Sequence, residues 1–240
     1  MQPSQPKHRR IRSFVRRPGR MTVAQSRAMA RLWPKFGLRE GDELALDECF
    51  DRSAPRILEI GFGNGDVIAD LARDHPELDY LGLEVHEPGI GRLLMRIEEQ
   101  QLTNVRVLKG DAAELLPNCI PAESIAAINI FFPDPWHKKR HHKRRLIQPS
   151  FVDTLARCLP AHGALHLATD WPHYADQMVE TFNASALFEP ITASELGPDP
   201  IWQRRPTKFE RRGVRLGHPV TDLYYLRTEI RPTTKVAPSR

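Results

Sequence analysis

The sequence lacks several features that define membrane, secreted and metal-stabilised proteins. No apolar run approaches the roughly 18 residues that a membrane-spanning helix requires, and no signal-peptide-like apolar segment occurs near the start. Cysteine is scarce, since Cys49, Cys119 and Cys158 are far apart and form no CxxC pair that would indicate a disulfide framework or a zinc knuckle. With 240 residues and 40% apolar content, the chain can bury a full core. We therefore expect a soluble protein of a reducing, cytoplasmic compartment.

Acidic residues are absent from the first 39 residues, which contain eleven lysines and arginines. The remainder, with 24 Lys and Arg against 30 Asp and Glu, is net acidic. An arginine-rich, acid-free N-terminus is typical of a mitochondrial transit peptide, and also of a basic arm that orders on nucleic acid. We favour the arm, because Phe14 and Trp33 add aromatic side chains that could dock or stack. The predicted divisions are a flexible RNA-binding arm over residues 1–39, a main domain over 40–231 and a frayed tail over 232–240.

Short apolar runs alternate with helical patterns between Arg56 and Glu229, which predicts βαβ units around a mostly parallel sheet. The working expectation is one doubly wound α/β domain. The predicted strands are Arg56–Ile60, Asp79–Glu84, Val105–Lys109, Ile125–Phe132, Ala164–Thr169 and Leu223–Ile230. The predicted helices are Val67–Arg73, Leu93–Gln101 and a third marked by Phe151, Leu155 and Leu159.

The first predicted strand leads into a glycine-rich loop, in which Gly61, Gly63 and Gly65 alternate with other residues between Glu59 and Asp66. Glycines at this spacing let the backbone turn sharply and approach a ligand just before a helix N-terminus. Dinucleotide sites have GxGxxG instead, and the flanking acids would repel a pyrophosphate but suit a cationic nucleoside. The loop therefore favours S-adenosylmethionine over NAD, although a glycine turn without a ligand would also fit.

Two further acids follow the next predicted strands. Glu84 ends the second strand 19 residues after Gly65, where a carboxylate can accept hydrogen bonds from both ribose hydroxyls. Asp111 follows the third strand and could accept from an adenine amino group. Each acid could instead cap a helix. Because the carboxyl ends of parallel strands meet at one edge, the acids after three consecutive strands together favour a cofactor site.

A fourth strand-like segment ends in Phe131-Phe132-Pro133-Asp134-Pro135-Trp136 and passes into nine consecutive basic residues, His137 to Arg145. A carboxylate between prolines at a strand end is a rigid polar group at the edge where α/β sheets bind ligands. The basic tract has the charge to hold a polyanion, whereas a solvated surface helix normally mixes charge signs. His137 and His141 have a metal-ligand spacing, but without a nearby Cys or acid we expect no metal. The predicted partner is nucleic acid, with Trp136 available to stack on a base.

With these motifs the chain resembles the bacterial tRNA (guanine-N7-)-methyltransferases of the class I S-adenosylmethionine-dependent fold. The resemblance runs from about Arg9 to Leu226 and is most specific in the Phe131–Arg145 block. It implies a doubly wound, mostly parallel, seven-stranded Rossmann-like sheet with a basic N-terminal extension. The other matching segments are Arg10–Arg17, Glu59–Gly63, Gly82–His86, Ala168–Trp171 and Arg205–Gly213.

The resemblance also implies a role for individual residues. Asp134 corresponds to the catalytic position. The cofactor set, with the loop glycines, is Glu59, Gly61, Gly63, Gly65, Glu84, Asp111 and Asp134. The substrate-binding set is Lys138, Asp170, Thr207, Lys208, Phe209 and Glu210. The RNA-interacting set is Arg140, His141, His142, Lys143, Arg144 and Arg145.

The expected activity is transfer of the S-adenosylmethionine methyl group to N7 of a tRNA guanosine, in the variable loop that the family implies. Because guanine N7 has a free lone pair at neutral pH, Asp134 is expected to orient the reactants and stabilise the forming cation rather than remove a proton. Asp170 is expected to recognise the N1–H and amino edge of guanine. The expected partner is tRNA, bound by a monomer or homodimer with no obligate partner subunit and no membrane.

Three alternatives remain open from the sequence. The same fold could act on ribosomal or another RNA, which would leave the cofactor acids unchanged. A non-catalytic RNA-binding protein could use a degenerate methyltransferase fold, although the intact acids argue against degeneracy. An NAD oxidoreductase is least favoured, because of the GxGxG spacing and the flanking acids.

Overall fold

The computed structural model describes residues 13–14, 19–39, 41–197, 199–202, 204–205, 210 and 219–232. These residues form an eight-stranded sheet with helices on both faces. The strands are β1 (Gly37–Leu38), β2 (Arg56–Ile60), β3 (Asp79–Glu84), β4 (Val105–Lys109), β5 (Ala127–Phe131), β6 (Ala164–Thr169), β7 (Phe188–Ile191) and β8 (Thr221–Arg227). The α-helices are α1 (Val23–Phe36), α2 (Leu46–Phe50), α3 (Asp66–Asp74), α4 (Glu87–Glu99), α5 (Ala112–Cys119), α6 (Pro149–Cys158) and α7 (Pro172–Asn183). Short 3-10 helices cover Lys139–Arg144, Ala193–Glu195 and Pro200–Trp202.

The strand order in the sheet is β1-β4-β3-β2-β5-β6-β8-β7. Neighbouring strands from β1 to β6 in this order are parallel, and β8 is antiparallel to both β6 and β7. The predicted doubly wound, mostly parallel α/β fold is therefore confirmed. Glu59 pairs with Gly82 on one side and Asn129 on the other, so β2, β3 and β5 end at the same edge of the sheet.

The central strands are buried on both faces, as parallel strands covered by helices must be. Every residue of β2, β3, β5 and β6 is buried. Adjacent residues of β2 belong to different apolar clusters. Leu58 lies in the cluster that contains Leu155 of α6, and Ile57 lies in the cluster that contains Leu93 of α4. The two helical layers therefore hold the sheet from opposite sides.

The ends of β2, β3, β4 and β6 agree with the prediction. Strand β5 is shorter than the predicted Ile125–Phe132, because Phe132 turns away with a φ of 52°. Strand β8 lies earlier than the predicted Leu223–Ile230, and Ile230 is 54% exposed beyond its end. In α6, Phe151 and Leu155 form the predicted buried stripe.

Within the part of the predicted flexible arm that the structure describes, Val23–Phe36 form helix α1. Thr22 and Gln25 begin α1 with a reciprocal capping box, in which each side chain accepts a hydrogen bond from the other residue's backbone N–H. Ala28, Leu32 and Phe36 are buried at a spacing of four, and α1 packs on α4. The folded domain therefore begins before residue 40, where we predicted its start. The apolar stripe was obscured by the basic residues between its members.

The sheet of the described residues also has eight strands rather than the seven expected. Strand β1 adds only Gly37 and Leu38, which pair in parallel with Val107 and Leu108 of β4 at the sheet edge. Two residues are too few for the alternation that predicts a strand from sequence. Residues 1–12 and 15–18 of the predicted arm, and 233–240 of the predicted tail, lie outside the described residues.

No helix in the described part of the chain has the length and apolarity to cross a membrane.

Cys49, Cys119 and Cys158 are free thiols. Cys119 and Cys158 lie in the core, and burial raises the pKa of Cys158 to about 11. These two cysteines therefore act as small apolar residues.

Replacing Phe36 with alanine should lower the free energy of unfolding by about 3–5 kcal/mol, because a buried ring is lost and a cavity remains. Phe36 is 5% exposed, whereas Val23 in the same helix is 77% exposed. The control Val23→Ala should change stability by less than about 0.5 kcal/mol. Urea unfolding followed by circular dichroism measures both, and equal midpoints for wild type and Phe36→Ala would contradict the docking of α1.

Candidate active site and RNA-binding surface

The glycine-rich loop adopts the backbone conformations that its sequence predicts. Gly61, Gly63 and Gly65 have φ angles of 79°, 59° and 72°, which side-chain-bearing residues rarely adopt. A Cβ atom on Gly61 or Gly63 would meet no atom within 4 Å, so these two glycines border open space. A Cβ on Gly65 would lie 2.7 Å from the Leu93 side chain. Gly61 and Gly63 thus leave room for a ligand, while Gly65 also allows α3 and α4 to pack.

Glu84, at the end of β3, is fixed by backbone hydrogen bonds. One carboxylate oxygen accepts from Gly63 N–H at 2.9 Å, and the other accepts from Val85 and His86 N–H at 2.6 and 3.0 Å. His86, not Glu84, is the N-cap residue of α4. The carboxylate therefore ties the glycine loop to the end of β3.

The two acids that flank the loop have different environments. Glu59 is 5% exposed, and burial followed by the negative charge of Glu84 raises the pKa of Glu59 to about 8. Asp66 forms an ion pair with Arg96 at 2.9 Å, and Arg92 lies 3.6 Å from the same oxygen. The charge of Asp66 therefore links α3 to α4.

Asp111 follows β4 and caps α5. Its Oδ1 atom accepts from Ala113 N–H at 3.1 Å and from the Ser13 hydroxyl at 3.4 Å. The N-cap alternative that the sequence left open is thus realised. The carbonyl of Ser13 accepts from Trp136 Nε1–H at 2.9 Å, so Ser13 connects this acid to the turn that carries Asp134.

Asp134 lies on a turn whose backbone is conformationally restricted. Phe132 and Trp136 have φ angles of 52° and 45°, an uncommon conformation for bulky residues. Phe132 N–H donates to Ala168 O at 2.8 Å, which keeps the start of the turn against β6. Asp134 is exposed between two prolines, and Asp170 directly follows β6. Because β5 and β6 are parallel neighbours, both carboxylates lie at the same edge of the sheet.

The basic tract forms a 3-10 helix over Lys139–Arg144, so the helical spacing proposed for His137 and His141 is not realised. His137 packs edge-on to Trp171 with ring centroids 4.2 Å apart, and His141 packs against Trp136 at 5.8 Å. Desolvation and the adjacent cations, Arg140 foremost, lower the pKa of His141. Among the described residues, no group of three or more His, Cys, Asp or Glu is arranged to hold a metal ion.

The cations of the tract differ in exposure. Lys138, Lys139, Arg140 and Lys143 are exposed, whereas His141, His142 and Arg144 are half-buried. The guanidinium of Arg144 lies 4.6 Å from the ring centre of Trp136. A base that stacks on Trp136 must therefore use the opposite face of the ring or displace Arg144.

Arg145 differs from the rest of the tract because it is 2% exposed. Its Nε–H donates to Pro135 O at 2.8 Å, and one terminal nitrogen donates to Gln177 Oε1 at 3.0 Å. Its guanidinium also lies 4.7 Å from the ring centre of Tyr174. The placement argues against the backbone contact with RNA expected for Arg145, since these bonds use the guanidinium to hold the tract against α7.

The predicted substrate-binding residues are only partly described. Thr207, Lys208 and Phe209 lie outside the described residues. Glu210 accepts two hydrogen bonds from Arg204, at 2.6 and 3.0 Å. The sequence reasoning missed Arg204, because no local pattern shows that it contacts a residue of this set.

A cavity of about 550 Å³ opens between the basic tract and α7. His137 and Trp171 contribute its aromatic lining, Lys139 a positive charge, and Asp176 and Glu180 negative charges. Trp171 directly follows Asp170, so the cavity adjoins the end of β6. Its size and mixed lining suit a nucleotide.

The fold and the strand-end acids define a class of protein. Similar solved structures include the 16S rRNA methyltransferase KamB, with a TM-score of 0.57 and 13% identity over 80% of this chain and 98% of that one. The aminoglycoside resistance methyltransferase NpmB1 matches with a TM-score of 0.53 and 15% identity, over 76% of this chain and 92% of that one. The chain therefore has the fold of these methyltransferases.

Relatives of higher identity define the family. Residues 53–223 match a family model described as "Putative methyltransferase". The chain is 55% identical over 227 residues to a tRNA (guanine-N(7)-)-methyltransferase of Alkalilimnicola ehrlichii, covering 92% of this chain and 94% of the relative. It is 51% identical over 233 residues to that of Halorhodospira halophila, covering 96% and 99%. The chain belongs to the tRNA (guanine-N(7)-)-methyltransferase family.

Glu59→Gln should remove one source of pH-dependent stability. The pKa of Glu59 is about 8 in the folded chain, against an ordinary value near 4.5. Between these pH values the folded chain therefore keeps a proton on Glu59 that the unfolded chain releases. In the wild-type protein, the contribution of Glu59 to the free energy of unfolding is fully present below the ordinary pKa. It is lost as pH rises through the folded-state pKa, by at most about 1.4 kcal/mol per pH unit. Denaturant unfolding of both proteins from about pH 5 to about pH 8 should show the variant gaining relative stability. A constant difference would rule out the raised pKa.

Proposed function

We propose that the enzyme transfers the methyl group of S-adenosylmethionine to N7 of a guanosine in tRNA. The observation that carries the proposal is the convergence of Glu84, Asp134 and Asp170 at one sheet edge, next to the exposed cations of the basic tract. The names of the relatives at 50% identity or more support guanine N7 and tRNA as the target. The fold alone would fit several RNA substrates, because its structural neighbours include a 16S rRNA methyltransferase.

The residues present fit S-adenosylmethionine. Open space beside Gly61 and Gly63 accommodates a ligand close to the backbone, and the immobilised Glu84 carboxylate suits a ribose diol. Glu59, whose pKa is raised by burial, can ionise beside the positive charge of the cofactor, and we assign Asp111 to the adenine amino group. When bound, the cofactor supplies an electrophilic methyl group on a sulfonium.

Asp134 acts on this reaction by position and charge. Guanine N7 needs no deprotonation before it attacks the methyl group, so a general base has no proton to remove. Methylation moves positive charge onto the purine, and an adjacent carboxylate stabilises it. Alignment of two reactants can supply on the order of 7–11 kcal/mol of the barrier. The positive φ angles of Phe132 and Trp136 and the prolines on either side of Asp134 support these roles, because they limit the conformations of this turn.

Guanine recognition is assigned to acids near this turn. Asp170 can accept from the N1–H and amino group of guanine, a pair of donors that adenine does not present. Lys138 is exposed, follows Asp134 by four residues in the sequence and suits a phosphate of the target nucleotide. The remaining members of the proposed substrate set are Thr207, Lys208, Phe209 and Glu210.

RNA binding is assigned to the exposed cations of the tract. Phosphate contacts give affinity without reading sequence, which suits an enzyme that recognises tRNA by shape. We assign these contacts to Lys139, Arg140 and Lys143, with Arg144 and Trp136 at the adjoining stacking position.

Free, buried thiols and the tRNA substrate favour a cytoplasmic location. A monomer or homodimer, with a basic N-terminal arm that assists RNA binding, remains our expectation.

Asp134→Ala should reduce methyl transfer to unmodified tRNA transcripts by on the order of 10²-fold or more, because the orienting charge is lost. Labelled S-adenosylmethionine and nucleoside analysis would show whether the wild-type product is 7-methylguanosine. Glu48→Ala, an exposed carboxylate on α2, is the control and should keep wild-type activity. Label in ribosomal RNA but not in tRNA would contradict tRNA as the substrate. A product other than 7-methylguanosine would contradict guanine N7 as the methylated atom.

Replacing Arg140 and Lys143 with glutamine should weaken tRNA binding and flatten its salt dependence. Each lost phosphate contact should reduce the slope of log affinity against log salt by up to about 0.9, and by less for single strands. The control is Arg73→Gln, which also removes one positive charge. Arg73 is 47% exposed but lies on α3, outside the basic tract, so its replacement should leave the slope unchanged. Filter binding at several salt concentrations measures the slopes. The assignment fails if the double variant and wild type have the same slope.

A further inference from the structure

Arg204 forms a chain of ion pairs beside the candidate site. Its Nε and one terminal nitrogen donate to the two oxygens of Asp222 at 2.8 and 3.0 Å. Its terminal nitrogens also donate to the two oxygens of Glu210 at 2.6 and 3.0 Å. Asp222 in turn lies 2.8 Å from Nε2 of His166. One guanidinium therefore connects a carboxylate of β8 with a carboxylate of the proposed substrate set.

The position of this chain follows from the sheet topology. Because β8 is antiparallel to β6, Asp222 pairs with Ala168, close to the end of β6 where Asp170 follows. The His166 side chain is 1% exposed, and those of Arg204, Glu210 and Asp222 are 12%, 16% and 24% exposed. Charges this enclosed hold a fixed geometry better than exposed ion pairs do.

Arg204 also contacts the start of the turn that carries Asp134. Its guanidinium carbon lies 5.8 Å from the ring centre of Phe131 and 5.9 Å from that of Phe132. Phe132 is the residue whose positive φ begins the turn. Arg204 is thus in contact with the Asp134 turn and with Glu210 at the same time.

We propose that Arg204, held by Asp222, is a positioning residue that fixes the Glu210 carboxylate relative to the Asp134 turn, so that both act on one guanine. The inference rests on the proposed function and extends it to a residue that does not itself contact the base. A guanidinium is required because it presents five donors in a planar fork, enough for two carboxylates together. Lysine would keep the charge but not the two bidentate contacts.

The test is a double-mutant cycle on the kinetics of tRNA methylation. Arg204→Gln should lower kcat/KM for tRNA by about 10- to 100-fold, the effect expected of a small misplacement of a substrate-binding group. Arg204→Lys should recover only part of this loss, because it restores charge without the fork. The affinity for S-adenosylmethionine, measured by calorimetry, should stay within about twofold of wild type if the cofactor acids are undisturbed.

The second arm of the cycle is Glu210→Gln. If Arg204 acts through Glu210, the double variant Arg204→Gln/Glu210→Gln should lose little more than the more damaged single variant. Arg205→Gln is the matched control, because the adjacent Arg205 pairs instead with Asp74 of α3 and should keep wild-type kinetics. Thermal melting of each variant shows whether a loss of activity comes from unfolding or from a misplaced Glu210 carboxylate. If Arg204→Gln does not fold, Arg204→Lys takes its place in the cycle.

Fully additive losses in the double variant, or wild-type kcat/KM in Arg204→Gln, would overturn the positioning role. An equal loss of S-adenosylmethionine affinity would overturn it as well, because it would indicate general damage to the site. Failure of the proposed function gives a different result, since the wild-type enzyme itself would then form no 7-methylguanosine in tRNA.

Discussion

Parallel pairing of β2 with both β3 and β5 is the constraint on which the site depends. Parallel strands deliver the residues that follow them to one edge of the sheet, whatever their separation in sequence. Glu84, Asp134 and Asp170 lie along that edge for this reason, and the hydrogen bond from Gly63 N–H to Glu84 fixes the glycine loop at the same edge. The helices on both faces bury the strands and keep their registers, so the geometry of the site is set by the core.

The charges of the molecule are arranged by depth. Glu59 and Glu84 are buried near the glycine loop, and burial together with the Glu84 charge raises the pKa of Glu59 to about 8. Exposed cations such as Arg140 and Lys143 face solvent, where a polyanion can reach them. Arg145 and Arg204 belong to neither group. Both are buried or nearly so, and their guanidinium groups hold loops together.

Much of this arrangement could be predicted from sequence, because apolar runs and strand-end acids are local signals. The ends of four strands and the conformations of the loop glycines agree with expectation. Helix α1 was missed because basic residues separate its three buried positions, and β1 because it has two residues. The buried role of Arg145 and the contacts of Arg204 could not be predicted, since each depends on partners distant in sequence. A run of basic residues shows charge, but not which member turns inward.

The inward-facing Arg145 has a consequence for the energetics of RNA recognition. Its bond to Pro135 O joins the two ends of the segment that presents the cations, so this segment is a closed loop rather than an open tail. Closing the loop restricts its backbone when the protein folds, so less conformational entropy is lost when RNA arrives. An open tail with the same charge would have to lose that freedom at each binding event. On the proposed assignment of these cations to tRNA phosphates, the array is preorganised before the RNA binds.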